Sequence, residues 1–181
     1  MRLALRVLPT ADLGPSGLRG LRGLRGLLEA AFTDGYDDGS WDHALGGLHV
    51  LAGPPEAPVG HAAVVLRRVL HGGVALRTGY VESVAVHPDR QRHGLGAALM
   101  AEVERLIRGG YQIGALGAAD RAAALYRRRG WQVWTGPLGG LTPDGVVPTP
   151  DERGAVHVLP VGIDLDPSTP LVCDWRDGEL W

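Results

Sequence analysis

Lysine is missing altogether: all eighteen basic side chains of this 181-residue chain are arginine. That absence excludes a phosphate loop ending in a Gly-Lys pair and a lysine Schiff base to pyridoxal phosphate. Cysteine is reduced to one, Cys173, so no internal disulfide can form, and a reducing, cytoplasmic setting is expected. Cys173 itself reads as a small buried hydrophobe. Aromatics make up 6% and the net charge is −2, which leaves no basic, aromatic stripe for a nucleic acid. No apolar run approaches the roughly 20 residues that a membrane span needs. The start, "MRLALRVLPT", lacks the apolar centre of a signal peptide. Neither nucleic acid nor membrane is therefore expected as a partner. The histidines at 43, 49, 61, 71, 87, 93 and 157 show no spacing of the H-E-x-x-H kind, so no metal is assigned.

What is present suits one globular domain over residues 1–181, with 45% hydrophobic residues and no linker. Charge is unevenly placed: residues 142–181 hold two arginines against eight acids, a net of −6. An acidic wall of that kind favours cationic partners. Periodicity reads "RLALRVL" (2–8) as a first strand. Ser16 is the expected cap of a helix whose apolar stripe runs from Leu18 to Phe32. Gly20, Gly23 and Gly26 weaken that helix, and the arginines at 19, 22 and 25 form its wet face. A polar loop, "TDGYDDGSWDH", leads to strands at 48–52, 59–70 and 74–86, an antiparallel meander turned by "PPEAP" and "HGG". A helix over 95–109, strand 111–118, helix 119–129 and strand 131–135 follow. A Gly/Pro-rich loop over 136–154 then precedes strand 155–163. The expected class is α/β, a mixed, mostly antiparallel central sheet with helices on both faces.

Between the third meander strand and the next helix stands "VHPDRQRHGLGAALM" (86–100). A helix start presents unpaired N–H groups and a positive dipole end, which suits phosphate. Gly94 and Gly96 let backbone approach an anion, and Arg90 and Arg92 add charge. A dinucleotide fingerprint does not fit, since the third glycine and the acid about twenty residues on are both missing. Gln91-Arg92-His93-Gly94-Leu95-Gly96 resembles the Q/R-x-x-G-x-G/A loop of the GNAT acetyltransferase superfamily. "AALYRRRGW" (123–131) is similar to that superfamily's second signature, A-x-x-L-Y-x-x-x-G-F/W. Further stretches, among them "WDHALGGLHVL", "LRTGYVESVAVHPD", "GPLGGLTPDG", "TPDERGAVHVLP" and "CDWRDGELW", resemble the aminoglycoside 2'-N-acetyltransferases over nearly the whole chain.

The resemblance implies a GNAT fold and a transferase that moves acetyl from acetyl-CoA to the 2'-amine of an aminoglycoside by direct attack in a ternary complex. Antibiotic resistance is the trait that goes with it, and a homodimer is an expected assembly. It implies that the backbone of Val84, Ala85 and Val86 pairs with the pantetheine amides. The N–H groups of Gln91, Arg92, His93, Gly94, Leu95 and Gly96 receive the pyrophosphate. Tyr126 is implied as the general acid at the leaving sulfur and Glu82 as the base for the attacking amine. Ser83, through its carbonyl, Gly117, Asp151, Glu152, Glu179 and the Trp181 carboxylate are implied to face the polycationic drug, together with Glu82. The sequence departs from the family at Gly35 and Ser40, where acids are expected, with Asp34, Asp37 and Asp38 nearby. Gly117 stands for an expected serine and Glu179 for an aspartate. Two other readings stay open at this level: acetylation of a cellular amine such as a cell-wall precursor, and non-catalytic binding of acetyl-CoA.

Overall fold

The computed structural model describes residues 4–13 and 17–181; the expected cap at Ser16, and Arg2 and Leu3 of the first strand, lie outside them. The chain groups into two compact units, one drawn from residues 1–65 and 81–106, the other from 66–80 and 107–181.

In the first unit, β1 (Leu5–Pro9) pairs antiparallel with β2 (Leu48–Ala52), Leu5 opposite Ala52. The strand β2 pairs antiparallel with the start of β3 (Gly60–His71), Leu48 opposite Val64. The helical period in α1 (Gly17–Ala31) buries Leu24, Leu27 and Leu28. Leu24 and Leu28 close a core with Leu13, Leu51 and Ala85, flanked by Phe32, Tyr36 and Trp41. Each fully buried leucine of that set contributes roughly 1.5–3 kcal/mol. Gly23 earns its place in the helix by close approach: a Cβ there would strike the carbonyl oxygen of Glu56. Arg25 is more than wet surface. It binds Glu29 at 2.9 Å and Asp38 at 2.9 Å, and lies over the rings of Tyr36 and Trp41.

The polar stretch 33–43 is not all loop, because residues 38–44 form α2 (Asp38–Ala44). Asp37 caps it by accepting from Ser40 N at 2.7 Å. A cap of that kind offsets the poor propensity of Gly39 and Ser40, and Trp41 adds a side chain to the core.

In the second unit, the first half of β4 (Val74–Val86) pairs parallel with β5 (Ile113–Gly117) over Thr78↔Ile113 to Tyr80↔Ala115. The connection that a parallel pair requires includes α3 (Leu95–Gly110), whose residues 95–106 belong to the first unit. Then α4 (Asp120–Arg128) and the short β6 (Gln132–Val133) follow. The expected loop over 136–154 contains a hairpin, β7 (Leu138–Thr142) with β8 (Gly145–Pro148). Its turn is closed by Thr142 Oγ1 donating to Gly145 O at 2.8 Å. β9 (Val156–Pro160) pairs antiparallel with β5 and β6. β10 (Leu171–Cys173) pairs antiparallel with the end of β3 and parallel with β7. The sheet is mixed and mostly antiparallel, as expected. β5 and β6 are shorter than the sequence reading had them.

Candidate functional site

Two clusters, one in each unit, hold the residues singled out above. In the first, Val84, Ala85 and Val86 lie beyond the last β5 pair of β4, at Tyr80. The chain then turns through a short 3-10 segment, Pro88–Arg90, to the glycine loop. Gln91 reaches back and donates Nε2–H to Val86 O at 3.1 Å, and His93 Nδ1 donates to Gln91 O at 2.6 Å. These two bonds hold Arg92 at φ 63° and Gly94 at φ 81°. Alternation of positive and negative φ turns successive N–H groups to one side, which makes a nest for an anion. The first helical turn bond is Ala98 N to Gly94 O at 3.1 Å, so the N–H groups of Leu95, Gly96 and Ala97 precede the helical ladder. A Cβ at Gly94 would meet nothing within 4 Å. The loop opens on a cavity of about 1020 Å³ lined by Leu5, Arg90, His93, Gly94, Ala98 and Arg105, with Asp89 and Glu102 on the same wall. Glu102 is paired to Arg105 at 2.6 Å, and Arg90 stands beside Asp89, so the helix-start N–H groups are what the wall offers an anion.

Upstream on β4, Glu82 is half-buried and Ser83 takes φ 51°. A serine rarely holds a positive φ without support. Its support is a chain of hydrogen bonds that sequence inspection did not single out. His61 Nδ1 lies 2.8 Å from Ser83 O, His49 Nδ1 lies 2.9 Å from His61 Nε2, and Thr10 Oγ1 lies 2.7 Å from His49 Nε2. A carbonyl only accepts, so His61 carries its proton on Nδ1; His49 then donates to His61, and Thr10 to His49. Burial pushes His49 down to about 4, while burial and the neighbouring His49 push His61 down to about 3. Both rings are thus neutral at ordinary pH. From the other side, the Tyr36 hydroxyl donates to Ser40 O at 3.0 Å and accepts from Ser83 Oγ at 2.7 Å. Burial, then the nearby charge of Glu82, pushes Tyr36 up to about 12, against the Ser83 bond that pulls it down. Signals for this brace were present in "LHVLA" and "GHAAV", where a histidine interrupts an apolar strand. Spacing alone says only that these histidines do not follow a metal-ligand pattern.

The departures near residue 35 have local causes. Gly35 takes φ 107° as its N–H bonds Phe32 O at 3.1 Å. Asp37 is spent on the α2 cap and Asp38 on Arg25.

The second cluster centres on α4. Tyr126 is 6% exposed, and burial pushes its phenol up to about 12. Its ring meets Trp131 edge-on at 6.3 Å and His157 at 6.0 Å. His157 donates Nδ1–H to Ala155 O at 2.8 Å, and its Nε2 is a buried acceptor without a hydrogen bond among the described residues. Asp151 and Glu152 sit on the 3-10 turn Pro150–Glu152. Burial, then the charges of Glu179 and Asp151, holds the Glu152 carboxyl above the usual carboxylate range, with Arg176 opposing. Charges that act on one another in this way are gathered in space. Trp181 is buried, its indole N–H donating to Thr149 Oγ1 at 3.0 Å. A Cβ on Gly117 would lie 3.7 Å from the Tyr80 hydroxyl and 3.8 Å from the Trp181 carbonyl carbon, so the position has room for the serine expected there.

Known proteins bear on the family and the fold. The acetyltransferase (GNAT) domain family matches residues 48–133. An aminoglycoside 2'-N-acetyltransferase of Mycolicibacterium fortuitum is 47% identical over 155 residues, 83% of this chain and 80% of that protein. A GNAT family acetyltransferase from Brucella melitensis, solved with acetyl-CoA, superposes at TM-score 0.59 and 20% identity, covering 97% of this chain and 98% of its own. A GNAT family N-acetyltransferase from Escherichia coli, solved with CoA, gives 0.65 at 21% identity, with 98% and 91% covered. These two show the fold, and the Mycolicibacterium relative shows the family: the chain belongs to the GNAT acetyltransferases, in the family of the aminoglycoside 2'-N-acetyltransferase.

Proposed function

We propose that this enzyme transfers the acetyl group of acetyl-CoA to the 2'-amino group of aminoglycosides. The observation that carries the reading is the pairing of Asp151 and Glu152 on one 3-10 turn, where Glu152 has its proton affinity raised first by burial and then by the charges of Glu179 and Asp151. Like charges held together in a folded protein call for a cationic ligand, and an aminoglycoside carries several ammonium groups.

Acetyl-CoA suits the first cluster on the chain's own atoms. The nest at Arg92–Gly94, the helix-start N–H groups and the open cavity match a pyrophosphate. Residues 84–86, beyond the β5 pairing, offer strand backbone to an amide-bearing arm. When bound, acetyl-CoA supplies an activated acetyl thioester. Glu82 takes a proton from the substrate ammonium, directly or through water, since a protonated amine cannot attack. Tyr126 holds its hydroxyl proton for the sulfur that leaves, and its raised pKa keeps that proton in place at neutral pH. The Ser83 carbonyl, braced by His61, offers its second lone pair to a drug N–H or O–H.

A cellular amine is the competing substrate class. The commitment of Asp37 and Asp38 to the fold supports it, because two of the three carboxylates near residue 35 are engaged in the α2 cap and the Arg25 ion pair. One experiment decides. Purified enzyme is given acetyl-CoA with tobramycin, and the product is read by NMR for the position of the new acetyl group. Kanamycin A, with a hydroxyl at the 2' position, should not be acetylated there. Transfer to another amine, or none to any 2'-amino drug, would refute the assignment and favour the cellular amine.

A further inference from the structure

In β3 the usual chemistry of inside and outside is exchanged: Leu66 is 57% exposed and the next residue, Arg67, only 5%. A buried guanidinium is costly unless its donors are met, and here every partner lies in one stretch of chain. Nε donates to Asp174 Oδ1 at 2.7 Å, one terminal nitrogen to Asp174 O at 2.9 Å and the other to Leu180 O at 2.7 Å. The guanidinium carbon sits 4.7 Å from the centre of the Tyr80 ring. Asp174 is fixed further, its second carboxylate oxygen accepting from Arg68 N at 2.8 Å. Arg67 thus grips both ends of a loop, residues 174 to 180. Inside the loop, Arg176 Nε donates to Glu179 O at 2.6 Å and so ties its own turn. The loop carries Glu179, one of the charges felt by Glu152.

We propose that Arg67 is a positioning residue for drug binding, closing the 174–180 loop so that the Glu179 carboxylate is held among the acids that receive a substrate ammonium. The proposal rests on the reading of Asp151, Glu152 and Glu179 as the drug-facing acids. Leucine at 67 would satisfy packing, but Asp174 would keep only the Arg68 N–H and the Leu180 carbonyl only the Cys173 thiol at 3.3 Å, and nothing would join the two. Glu179 would then keep the Arg176 tie within its turn but lose the closure of the loop that carries it.

A double-mutant cycle on the full chain tests this. Tobramycin KM, kcat and acetyl-CoA KM are measured for Arg67→Met, Glu179→Gln and the pair. Each single change should raise tobramycin KM by about ten-fold, the scale of one lost charge-assisted contact, with kcat and acetyl-CoA KM little changed. The pair should be no worse than either alone, because both remove the same interaction. Equal added effects in the two backgrounds would overturn the proposal, as would an unchanged KM in Arg67→Met. If Glu179→Gln itself leaves tobramycin KM unchanged, the acid reading fails and the proposal with it. Should Arg67→Met fail to fold, Arg67→Lys keeps the charge, loses the fork and is judged by the same cycle.

Discussion

Tyr126 is a phenol whose surroundings favour its proton. Buried against Trp131 and His157, it is pushed up to about 12, so it is a donor throughout the pH range in which an amine can attack. Tyr126→Phe keeps the ring packing and removes only the hydroxyl. Turnover should fall by about 10²-fold, the low end for a lost general acid, with acetyl-CoA affinity unchanged by calorimetry; an unaltered kcat would return Tyr126 to packing. The imidazoles of His49 and His61 make the opposite point, since burial favours loss of their protons. Their folded values, about 4 and about 3, lie below the ordinary 6.5. Stability is therefore fully present above pH 6.5 and is lost as pH falls toward 3, because the unfolded chain binds the protons first. At pH 5 the loss is about 2 kcal/mol per ring, or several degrees in Tm for a chain of this size. Imidazole NMR signals of both residues should stay neutral from pH 8 to 5, and titration of either near 6.5 would break the brace argument. Tyr126 was legible because a motif surrounds it. His49, His61 and Tyr36 were not, since they act on Ser83 from far along the chain, and Arg67 was hidden because its alternation carries the wrong polarity.

Elements with a strong local pattern were legible: the strands over 48–86, the glycine loop and α3 all lie where hydrophobic period and turn residues put them. Those that depend on tertiary partners were not. The helix α2 has glycine and serine inside it and exists because Asp37 caps it and Trp41 reaches the core. The β7–β8 hairpin is glycine-rich, and β10 lying beside β7 supplies the pairing its sequence does not advertise. The loop before α3 is the proposed pyrophosphate site, so the acetyl-CoA reading is tested there. Gly94 has open space around it but φ 81°, so a substitution there acts through backbone conformation and not through a clash. Gly94→Val, branched at Cβ, should cost about 1–3 kcal/mol of local strain or flip the loop and lose the nest. The free protein should melt within a few degrees of the native chain. The rise in Tm that acetyl-CoA gives by mass action should shrink sharply; a full shift would mean that the anion is held elsewhere.

At the scale of the molecule, charge is partitioned along the chain: residues 142–181 carry two arginines and eight acids, the rest sixteen arginines and twelve acids. Composition alone made this visible and pointed to a cationic partner, but it could not say which acids meet. The structure supplies the pairings. Asp166 accepts from Ser168 in a turn and Asp174 accepts from Arg67, whereas the charges of Asp151 and Glu179 are felt at Glu152. A polycation attracted by such a group should feel screening strongly, since the Debye length at 0.1 M salt is about 10 Å. Tobramycin KM should rise several-fold between about 0.05 and 0.3 M sodium chloride, and Glu152→Gln should flatten that dependence by removing one of the charges. The same carboxyl gives the acid limb its sign. Held above the ordinary carboxylate range, Glu152 takes up its proton earlier than an exposed glutamate as pH falls, and its attraction for an ammonium goes with the charge. Drug affinity should therefore weaken on acidification at a pH where ordinary carboxylates are still ionised, and Glu152→Gln should erase that limb and lower affinity at neutral pH. Salt and pH profiles of tobramycin KM that are identical in Glu152→Gln and the native enzyme would remove Glu152 from the drug site.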